Sequence, residues 1–316
     1  DIFLTYHDAG HILGSAIVEI QHGKGHKKKT LVFSGDLGNS KTALLDKPAF
    51  IKHADTLLLE STYGDRNHRS LTETLDEFRD TLQAAMDEGG NVLIPAFTIG
   101  RTQEILFWLG KFYREGILKQ QKVFLDSPMA IAASDIYRKH LYLFNDEDAR
   151  AFRDMIKDGW DAWLPPLHFS RTTEESMSIN KISGGAIVIA GSGMCSGGRI
   201  GHHLKNNLWR NNTHLIIVGF QAQGTTGRAL VDGAERVSIF GKEIAVNATI
   251  HTLGGFSAHA DQSQLLDWAG AFSEPRPDLY LVHGEVEKML ELQKQFHRRQ
   301  QWHADIPQPG EKIELS

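Results

Sequence analysis

Several features are scarce or missing in this sequence, and each scarcity excludes a class of protein. Cys195 is the only cysteine among 316 residues, so a disulfide framework is excluded and a reducing, cytoplasmic compartment is expected. No run of about 18 apolar residues occurs, and we therefore predict no transmembrane helix and no membrane partner. The opening residues, Asp1-Ile2-Phe3-Leu4, lack the basic start and the long apolar core of a signal peptide.

An excess of basic residues is also missing. The sequence has 34 lysines and arginines against 39 aspartates and glutamates, which gives a formal net charge of −5. This charge argues against a generally basic coat for nucleic acid, so a polyanion would be held by a local cluster or by metal ions. Histidine is abundant instead, with 16 residues. Most of them are expected at the surface or in packing roles, and those at strand ends matter most.

The first 60 residues read as β-rich. A hairpin is predicted from a strand over 16–21 and a return strand over 30–33, and the segment Ser34-Gly35-Asp36 ends the return strand. A second, continuously apolar strand over 56–59 ends at Glu60. Both acidic residues are therefore predicted to lie at the tips of strands.

From Asp65 onwards, helical patterns alternate with short apolar strands. The strands are predicted over 92–94, 123–125, 186–190 and 215–218, with helices over 71–86 and 105–112 between them. Continuous apolar strands separated by helices indicate a parallel sheet covered on both faces. The chain becomes strand-like again near Gly241, over 243–250. We therefore predict one domain from residues 1–64 and 241–316 and an inserted domain from residues 65–240.

The strands of the inserted domain end in polar, glycine-containing loops, which a parallel sheet collects on one edge. Glycine-rich turns can present backbone N–H groups to a phosphate, but glycine can also serve only to let the chain turn sharply. Both readings remain open for these loops. The candidate phosphate-binding residues are Ser192, Gly193, Arg199, Gln221, Thr225 and Arg228, together with Arg101 and Ser127.

Five residues stand out because each lies at the end of an apolar strand or helix: His11, Asp36, Glu60, His259 and His283. Each one alone has an ordinary structural explanation, such as a turn, a helix cap or a satisfied strand end. His283 follows the apolar run Leu279-Tyr280-Leu281-Val282, and His259 precedes a helix that starts near Asp261 or Ser263. Because all five lie at the ends of secondary-structure elements, they are predicted to contribute half of an active site.

In order along the chain, these motifs resemble the β-CASP branch of the metallo-β-lactamase superfamily, which includes RNA-processing nucleases. The resemblance rests on Gly10-His11-Ile12-Leu13-Gly14-Ser15-Ala16, Ser34-Gly35-Asp36, Glu60-Ser61-Thr62-Tyr63-Gly64, Phe256-Ser257-Ala258-His259 and Val282-His283-Gly284-Glu285. It implies an α/β fold in which a metallo-β-lactamase αββα sandwich is interrupted by a β-CASP domain built on a parallel sheet. The active site would lie in the cleft between them.

The resemblance also implies residue roles. His11 would bind one zinc ion, Asp36 would bridge two, and His283 would bind the second. Glu60 would pair with His259, which would face the scissile phosphate, so the implied catalytic residues are Glu60, His259, Asp36 and His283. The implied function is zinc-dependent hydrolysis of RNA, because a histidine at position 283 resembles the RNA-directed members rather than the DNA-repair members. The sequence leaves open whether the protein forms a homodimer.

One departure from the family concerns its central metal signature, His-x-His-x-Asp-His, which does not occur in this sequence. Because the chain opens within a strand-like segment, we expect it to be a fragment whose parent carries that signature. Three ligands over two metal positions are too few for tight binding, so this chain by itself is expected to be inactive. The alternative is a non-catalytic RNA-binding scaffold subunit, although Asp36, Glu60, His259 and His283 all remain. A small-molecule thioesterase or lactamase is disfavoured by the large insert.

Overall fold

The computed structural model describes residues 2–25, 28–40, 44–144 and 149–314. Strands and helices alternate through most of this length, as the alternation of apolar runs and amphipathic segments predicts. The strands are β1 (Ile2–Asp8), β2 (Ala16–His22), β3 (Lys29–Phe33), β4 (Thr56–Glu60), β5 (Val92–Pro95), β6 (Lys122–Leu125), β7 (Leu167–Phe169), β8 (Ala186–Ala190), β9 (His214–Ile217), β10 (Arg236–Ile239), β11 (Lys242–Ala245), β12 (Thr249–Thr252), β13 (Asp278–Val282) and β14 (Ala304–Asp305).

Several helices begin at capping residues that the sequence supplies. For example, Ser70 and Glu73 form a reciprocal capping box at the first helix. The α-helices are α1 (Leu71–Asp87), α2 (Arg101–Arg114), α3 (Pro128–Lys139), α4 (Ala149–Ile156), α5 (Trp160–Trp163), α6 (Thr173–Ile179), α7 (Gly198–Asn207), α8 (Thr226–Val231), α9 (Gln262–Ala269) and α10 (Val286–Gln300), with short 3-10 turns at Leu141–Leu143 and Gly254–Phe256. Among the helices within the described ranges, none has both the length and the apolarity that crossing a membrane requires.

The chain folds into two compact units. Unit 1 contains residues 1–68 and 258–316, and unit 2 contains residues 69–257. The sequence predicts the return to the first domain at residue 241, whereas the chain remains in unit 2 until Ser257. The reason is that β12 pairs in parallel with β9 and so belongs to the sheet of unit 2.

Unit 1 is built on a mixed sheet in the order β1-β2-β3-β4-β13-β14. The strands β1, β2 and β3 pair antiparallel, and the β2–β3 hairpin predicted from the sequence is confirmed. The strands β3, β4, β13 and β14 pair in parallel. Apolar side chains of this sheet pack with α9 and α10 in one core, which includes Val32, Leu59, Leu265, Leu281 and Phe296. This packing fixes the carboxyl ends of β3, β4 and β13 side by side.

Unit 2 is built on an all-parallel sheet in the order β12-β9-β5-β8-β6-β7, and β10 and β11 form a separate hairpin. The parallel sheet predicted from the four apolar runs is therefore confirmed. Its strands β5, β8 and β9 are buried along their whole length, which explains their continuously apolar sequences. The strands β7 and β12 extend it at its two edges. They are short and partly exposed, so no continuous apolar run marks them in the sequence.

Candidate active site

Three of the candidate residues follow neighbouring parallel strands of unit 1. Glu60 is the last residue of β4, and Val282, the last residue of β13, pairs with it in register. His283 comes directly after Val282, and Asp36 lies three residues beyond β3, which pairs with β4 on its other side. Because the carboxyl ends of parallel strands share one edge, the sheet places all three side chains together.

His11 and His259 reach the same edge from two loops that meet closely. The backbone N–H of His11 donates to Ser15 Oγ at 3.1 Å, which closes the turn after β1. Gly38 pairs with His259 in an isolated antiparallel bridge. A Cβ atom on Gly38 would lie 2.0 Å from the carbonyl oxygen of Gly10, so only glycine allows these segments to approach. The ring centroids of His11 and His259 are consequently 4.2 Å apart.

The distances bring the five candidate residues into one cluster. His11 Nε2 lies 3.9 Å from Asp36 Oδ2, and His283 Nδ1 lies 3.2 Å from Asp36 Oδ1. His259 Nδ1 lies 3.2 Å from Glu60 Oε2. The rings of His259 and His283 are 6.2 Å apart. The structure therefore places together the residues that the sequence singles out, while their individual roles stay predictions.

Glu60 is the buried anion of the cluster, with 1% of its surface exposed. Burial by itself raises the pKa of Glu60, but the hydrogen bond and positive charge of His259, with further hydrogen bonds from Thr62 and Leu37, outweigh it and hold the pKa below its ordinary value. The backbone N–H of Leu37 donates to Oε1 at 2.6 Å, and that of Thr62 donates to Oε2 at 3.3 Å. Glu60 is therefore an ionised acceptor that fixes the orientation of His259.

His11, in contrast to the ionised Glu60, is held in its neutral form. Burial lowers the pKa of His11, the positive charge of His259 lowers it further, and the carboxylates of Asp36 and Glu60 only partly oppose this. The imidazole of His11 is therefore neutral at pH 7. A neutral imidazole nitrogen is the form that binds a metal ion, because a ligand must be deprotonated.

His283 occupies an unusual backbone conformation with φ +52°. A non-glycine residue in this left-handed region costs about 1 kcal/mol or more and persists where its surroundings hold it. Here the backbone N–H of Ser61 donates to the His283 carbonyl at 3.4 Å, and Thr62 Oγ1 lies 3.4 Å from His283 Nδ1. The turn directs the imidazole of His283 towards Asp36. The side chain of His283 is largely exposed, with 60% of its surface accessible.

The cluster has the composition of a divalent-cation site. Two sets of three residues have ligand atoms within 4.8 Å of one another: His11, Asp36 and His259, and Asp36, Glu60 and His283. Asp36 belongs to both sets, and its two oxygens face different histidines. Imidazole and carboxylate are the usual nitrogen and oxygen ligands of zinc. The residues therefore fit a metal centre in which one carboxylate is shared.

The candidate phosphate-binding residues of unit 2 lie at the carboxyl edge of its sheet, but several already have protein partners. Arg199 Nη1 donates to Asp126 Oδ1 at 2.7 Å, and Gln221 Nε2 donates to the Gly193 carbonyl at 2.9 Å. Ser192 Oγ accepts the backbone N–H of residue 196 at 3.1 Å. The loops carrying Gly193 and Gln221 are thus brought together by direct contact. Their phosphate-binding assignment stays a prediction.

The arginines at the starts of two other helices are also engaged. The sequence places Arg101 on an open loop, whereas the structure buries it, with 5% exposed, and pairs it with the buried Glu104. The physical reason is that Arg101 is the first residue of α2 and that Glu104 lies three residues later, on the same face of the helix. Arg228 Nε donates to Asp232 Oδ2 at 2.8 Å across one turn of α8.

Ser127 and Thr225 serve as N-terminal caps. Ser127 Oγ accepts the backbone N–H of Ala130 at the start of α3, and Thr225 Oγ1 accepts that of Arg228 at the start of α8, both at 3.2 Å. These contacts satisfy N–H groups that a helix leaves unpaired at its first turn. Both hydroxyls therefore have a structural role in unit 2.

The sequence reading missed a buried polar network in unit 2. Asp126 directly follows β6, and its Oδ2 accepts from Ser176 Oγ at 2.6 Å and lies 2.6 Å from His203 Nε2, while its Oδ1 accepts from Arg199 at 2.7 Å. The available signal was the spacing of Arg199 and His203, four residues apart on one face of α7. It also missed His68, whose contacts with the His259 loop are described below.

Comparisons with known proteins agree with this arrangement. The family model of the Beta-Casp domain matches residues 102–230, and that of the Zn-dependent metallo-hydrolase RNA specificity domain matches residues 243–307. Ribonuclease TTHA0252 of Thermus thermophilus is 42% identical over 293 residues, which cover 92% of this chain and 64% of that protein. Transcription termination factor FttA of Pyrococcus abyssi is 35% identical over 313 residues, which cover 95% of this chain and 46% of that protein.

The FttA protein of Thermococcus kodakarensis is similar to the same extent, with 34% identity over 313 residues. The chain therefore spans about half to two thirds of the length of these relatives. The two family models together match more than half of the chain, and the Beta-Casp match contains the strands β6, β7, β8 and β9 of the parallel sheet of unit 2. With its metallo-β-lactamase fold and inserted β-CASP domain, the chain belongs to the β-CASP metallo-β-lactamase family of RNA-processing metallo-hydrolases.

Proposed function

We propose that this chain carries the catalytic centre of a zinc-dependent ribonuclease that hydrolyses RNA phosphodiester bonds. The observation that carries the proposal is the convergence of five side chains in unit 1, with Asp36 between His11 and His283. The substrate class rests on the matched RNA specificity domain and on a relative named as a ribonuclease. Because the formal net charge is −5, RNA would be held by the metal centre and a few local contacts.

His11, Asp36 and His283 would hold the metal ions. The two oxygens of Asp36 face His11 and His283 separately, which supports two ions rather than one. When bound, such ions lower the pKa of water and neutralise charge on the phosphate oxygens. The neutral state of His11 leaves its ring nitrogen able to bind a metal ion without first losing a proton.

His259, oriented by Glu60, would donate the proton that the leaving oxygen takes up. Because His259 Nδ1 faces Glu60, we assign the contact with the substrate to the other ring nitrogen, Nε2. In hydrolysis water releases one proton to the solvent as its oxygen forms a bond to phosphorus, while the bond from phosphorus to the leaving oxygen breaks. Protonated His259 donates from Nε2 to that oxygen, and ionised Glu60 stabilises the positive charge on the ring beforehand. His259 then regains its proton from the solvent.

The test compares metal content and RNA cleavage in the natural polypeptide that carries this sequence. Asp36→Asn should lose both metal and cleavage, whereas His259→Ala should lose cleavage and keep its metal. His303→Ala is the matched control, since 81% of that side chain is exposed and it pairs with nearby Asp305. Unaltered cleavage in His259→Ala would refute the role of His259.

The same experiment addresses the non-catalytic alternative. A wild-type protein that binds RNA but does not cleave it, with or without added zinc, would show an RNA-binding scaffold rather than an enzyme. For the 316-residue chain alone we expect little or no cleavage, because three ligands for two ions bind metal weakly. Robust, chelator-sensitive cleavage by the isolated chain would contradict that expectation.

A further inference from the structure

His68 makes a direct contact with the backbone of His259. Its Nε2 atom lies 2.9 Å from the His259 carbonyl oxygen. A carbonyl oxygen only accepts hydrogen bonds, so the proton of this bond belongs to His68, and Nε2 is its donor. His68 therefore holds the main chain of the residue whose side chain Glu60 holds.

The contact is one of several between the segment that leaves unit 1 and the segment that returns to it. The backbone N–H of His68 donates to Asp261 Oδ2 at 3.2 Å, and the carboxylate of Asp261 also caps α9. Three further hydrogen bonds join the same two segments: Gln262 N to the Arg66 carbonyl at 3.0 Å, Gln262 Nε2 to the Gly64 carbonyl at 2.8 Å, and Ser263 N to Asn67 Oδ1 at 3.0 Å. Hydrogen bonds thus hold the two segments, residues 64–68 and residues 259–263, against each other.

The ring of His68 is itself fixed by packing. It meets the ring of Tyr63 edge-on, with centroids 4.5 Å apart and an interplanar angle of 71°. Tyr63 is buried, with 6% exposed, and its centroid is 6.3 Å from that of His259. An imidazole held in this way loses little further freedom when it donates to His259, so its hydrogen bond fixes direction effectively.

Resting on the proposed function, we propose that His68 is a positioning residue that aims the imidazole of His259 at the scissile phosphate. Two points define the direction of that imidazole: the bond from Glu60 to Nδ1 and the position of the main chain. A small displacement of the loop would leave this bond in place, because both oxygens of Glu60 lie near Nδ1, at 3.2 and 3.3 Å. The position of Nε2 would still shift, and proton donation depends steeply on such a shift.

The experiment replaces the donor of His68 and keeps its bulk. His68→Phe preserves an aromatic ring against Tyr63 but removes the N–H group, whereas His68→Gln restores an amide N–H at a similar reach. His303→Phe, at an exposed position, is the control. We expect kcat for RNA cleavage to fall roughly 10- to 100-fold in His68→Phe with KM changed little, and to recover largely in His68→Gln. Metal content should not change in either variant.

A second readout does not require activity. In protein labelled with ¹⁵N-histidine, the Nδ1–H resonance of His259, identified by its absence in His259→Ala, should be sharp in the wild type and in His68→Gln but broadened in His68→Phe. An unchanged resonance in His68→Phe would overturn the proposal. An equal loss in both His68 variants would also overturn it, because packing rather than the donor would then matter. If the wild-type natural polypeptide that carries this sequence cleaves no RNA, the proposed function fails, while the resonance still decides whether His68 orders His259.

Discussion

Replacement of Asp126 by asparagine should destabilise unit 2 by about 2–4 kcal/mol. Asp126 is fully buried and accepts from Ser176 and Arg199, and His203 Nε2 lies within hydrogen-bond distance of it. An amide of the same shape turns one acceptor into a donor and leaves Arg199 without its counter-charge. Breaking a buried ion pair costs about 3–5 kcal/mol. The side chain of Arg199 is 22% exposed and also donates to a backbone carbonyl at 2.8 Å, so water and the backbone reduce that cost.

The matched control is Asp232→Asn, which removes the carboxylate of another Asp–Arg pair in unit 2. The side chains of Asp232 and Arg228 are 55% and 36% exposed, and a surface pair of this kind contributes about 0–1 kcal/mol. Urea unfolding at pH 7, with hydrogen exchange measured on peptides of unit 2, gives the free energy of unfolding for both variants. An Asp126→Asn loss no larger than that of Asp232→Asn would refute the argument.

The pH dependence of the free energy of unfolding, compared between wild type and Asp126→Asn, gives a second check. Burial raises the pKa of Asp126, but hydrogen bonds from His203, Ser176 and Arg199 and the charge of His203 together hold it below its ordinary value of 3.8. The unfolded state therefore takes up the proton more readily, and the carboxylate stabilises the fold fully above pH 3.8. That contribution is lost as the pH falls through the folded pKa. The difference in the free energy of unfolding between wild type and Asp126→Asn should consequently become smaller in acid and stay constant near neutrality.

Three further predictions concern single residues. Burial raises the pKa of Cys195 to about 12, and its thiol should therefore react with a thiol reagent such as Ellman's reagent only after unfolding; rapid reaction in the native protein would contradict this. Burial and the neighbouring His214 lower the pKa of His251 below 6.5, so the unfolded state binds the proton better and stability should decline as the pH falls through 6.5. Urea midpoints from pH 8 to 5 should show this decline in the wild type and a flatter profile in His251→Gln. Gly38→Ala should cost roughly 1–3 kcal/mol by forcing its Cβ against the Gly10 carbonyl, and a thermal midpoint equal to the wild type would contradict the close approach.

The sequence predicted the features of this protein that depend on local pattern. The continuously apolar runs of β5, β8 and β9 indicated a parallel sheet, because strands buried on both faces have no polar side to alternate with. The placement of Asp36, Glu60 and His283 at strand ends marked them as candidate site residues, and the parallel pairing of β3, β4 and β13 brings them together at one edge. The short strand β7 escaped prediction, and β12 overlaps only the end of the strand predicted over 243–250, because partly exposed segments of three or four residues carry no distinctive period.

What the sequence determined by itself was which residues could do chemistry; which partner each of them has was decided only by the tertiary structure. Arg199 and Arg101 look alike as candidate anion-binding residues, yet one contacts Asp126 and the other is buried against Glu104. The contact of His68 with His259 joins residues 191 positions apart, and no local pattern records it. The physical reason is that pairing of charges and hydrogen-bond donors depends on distances of a few ångströms, which only the packing of distant segments sets.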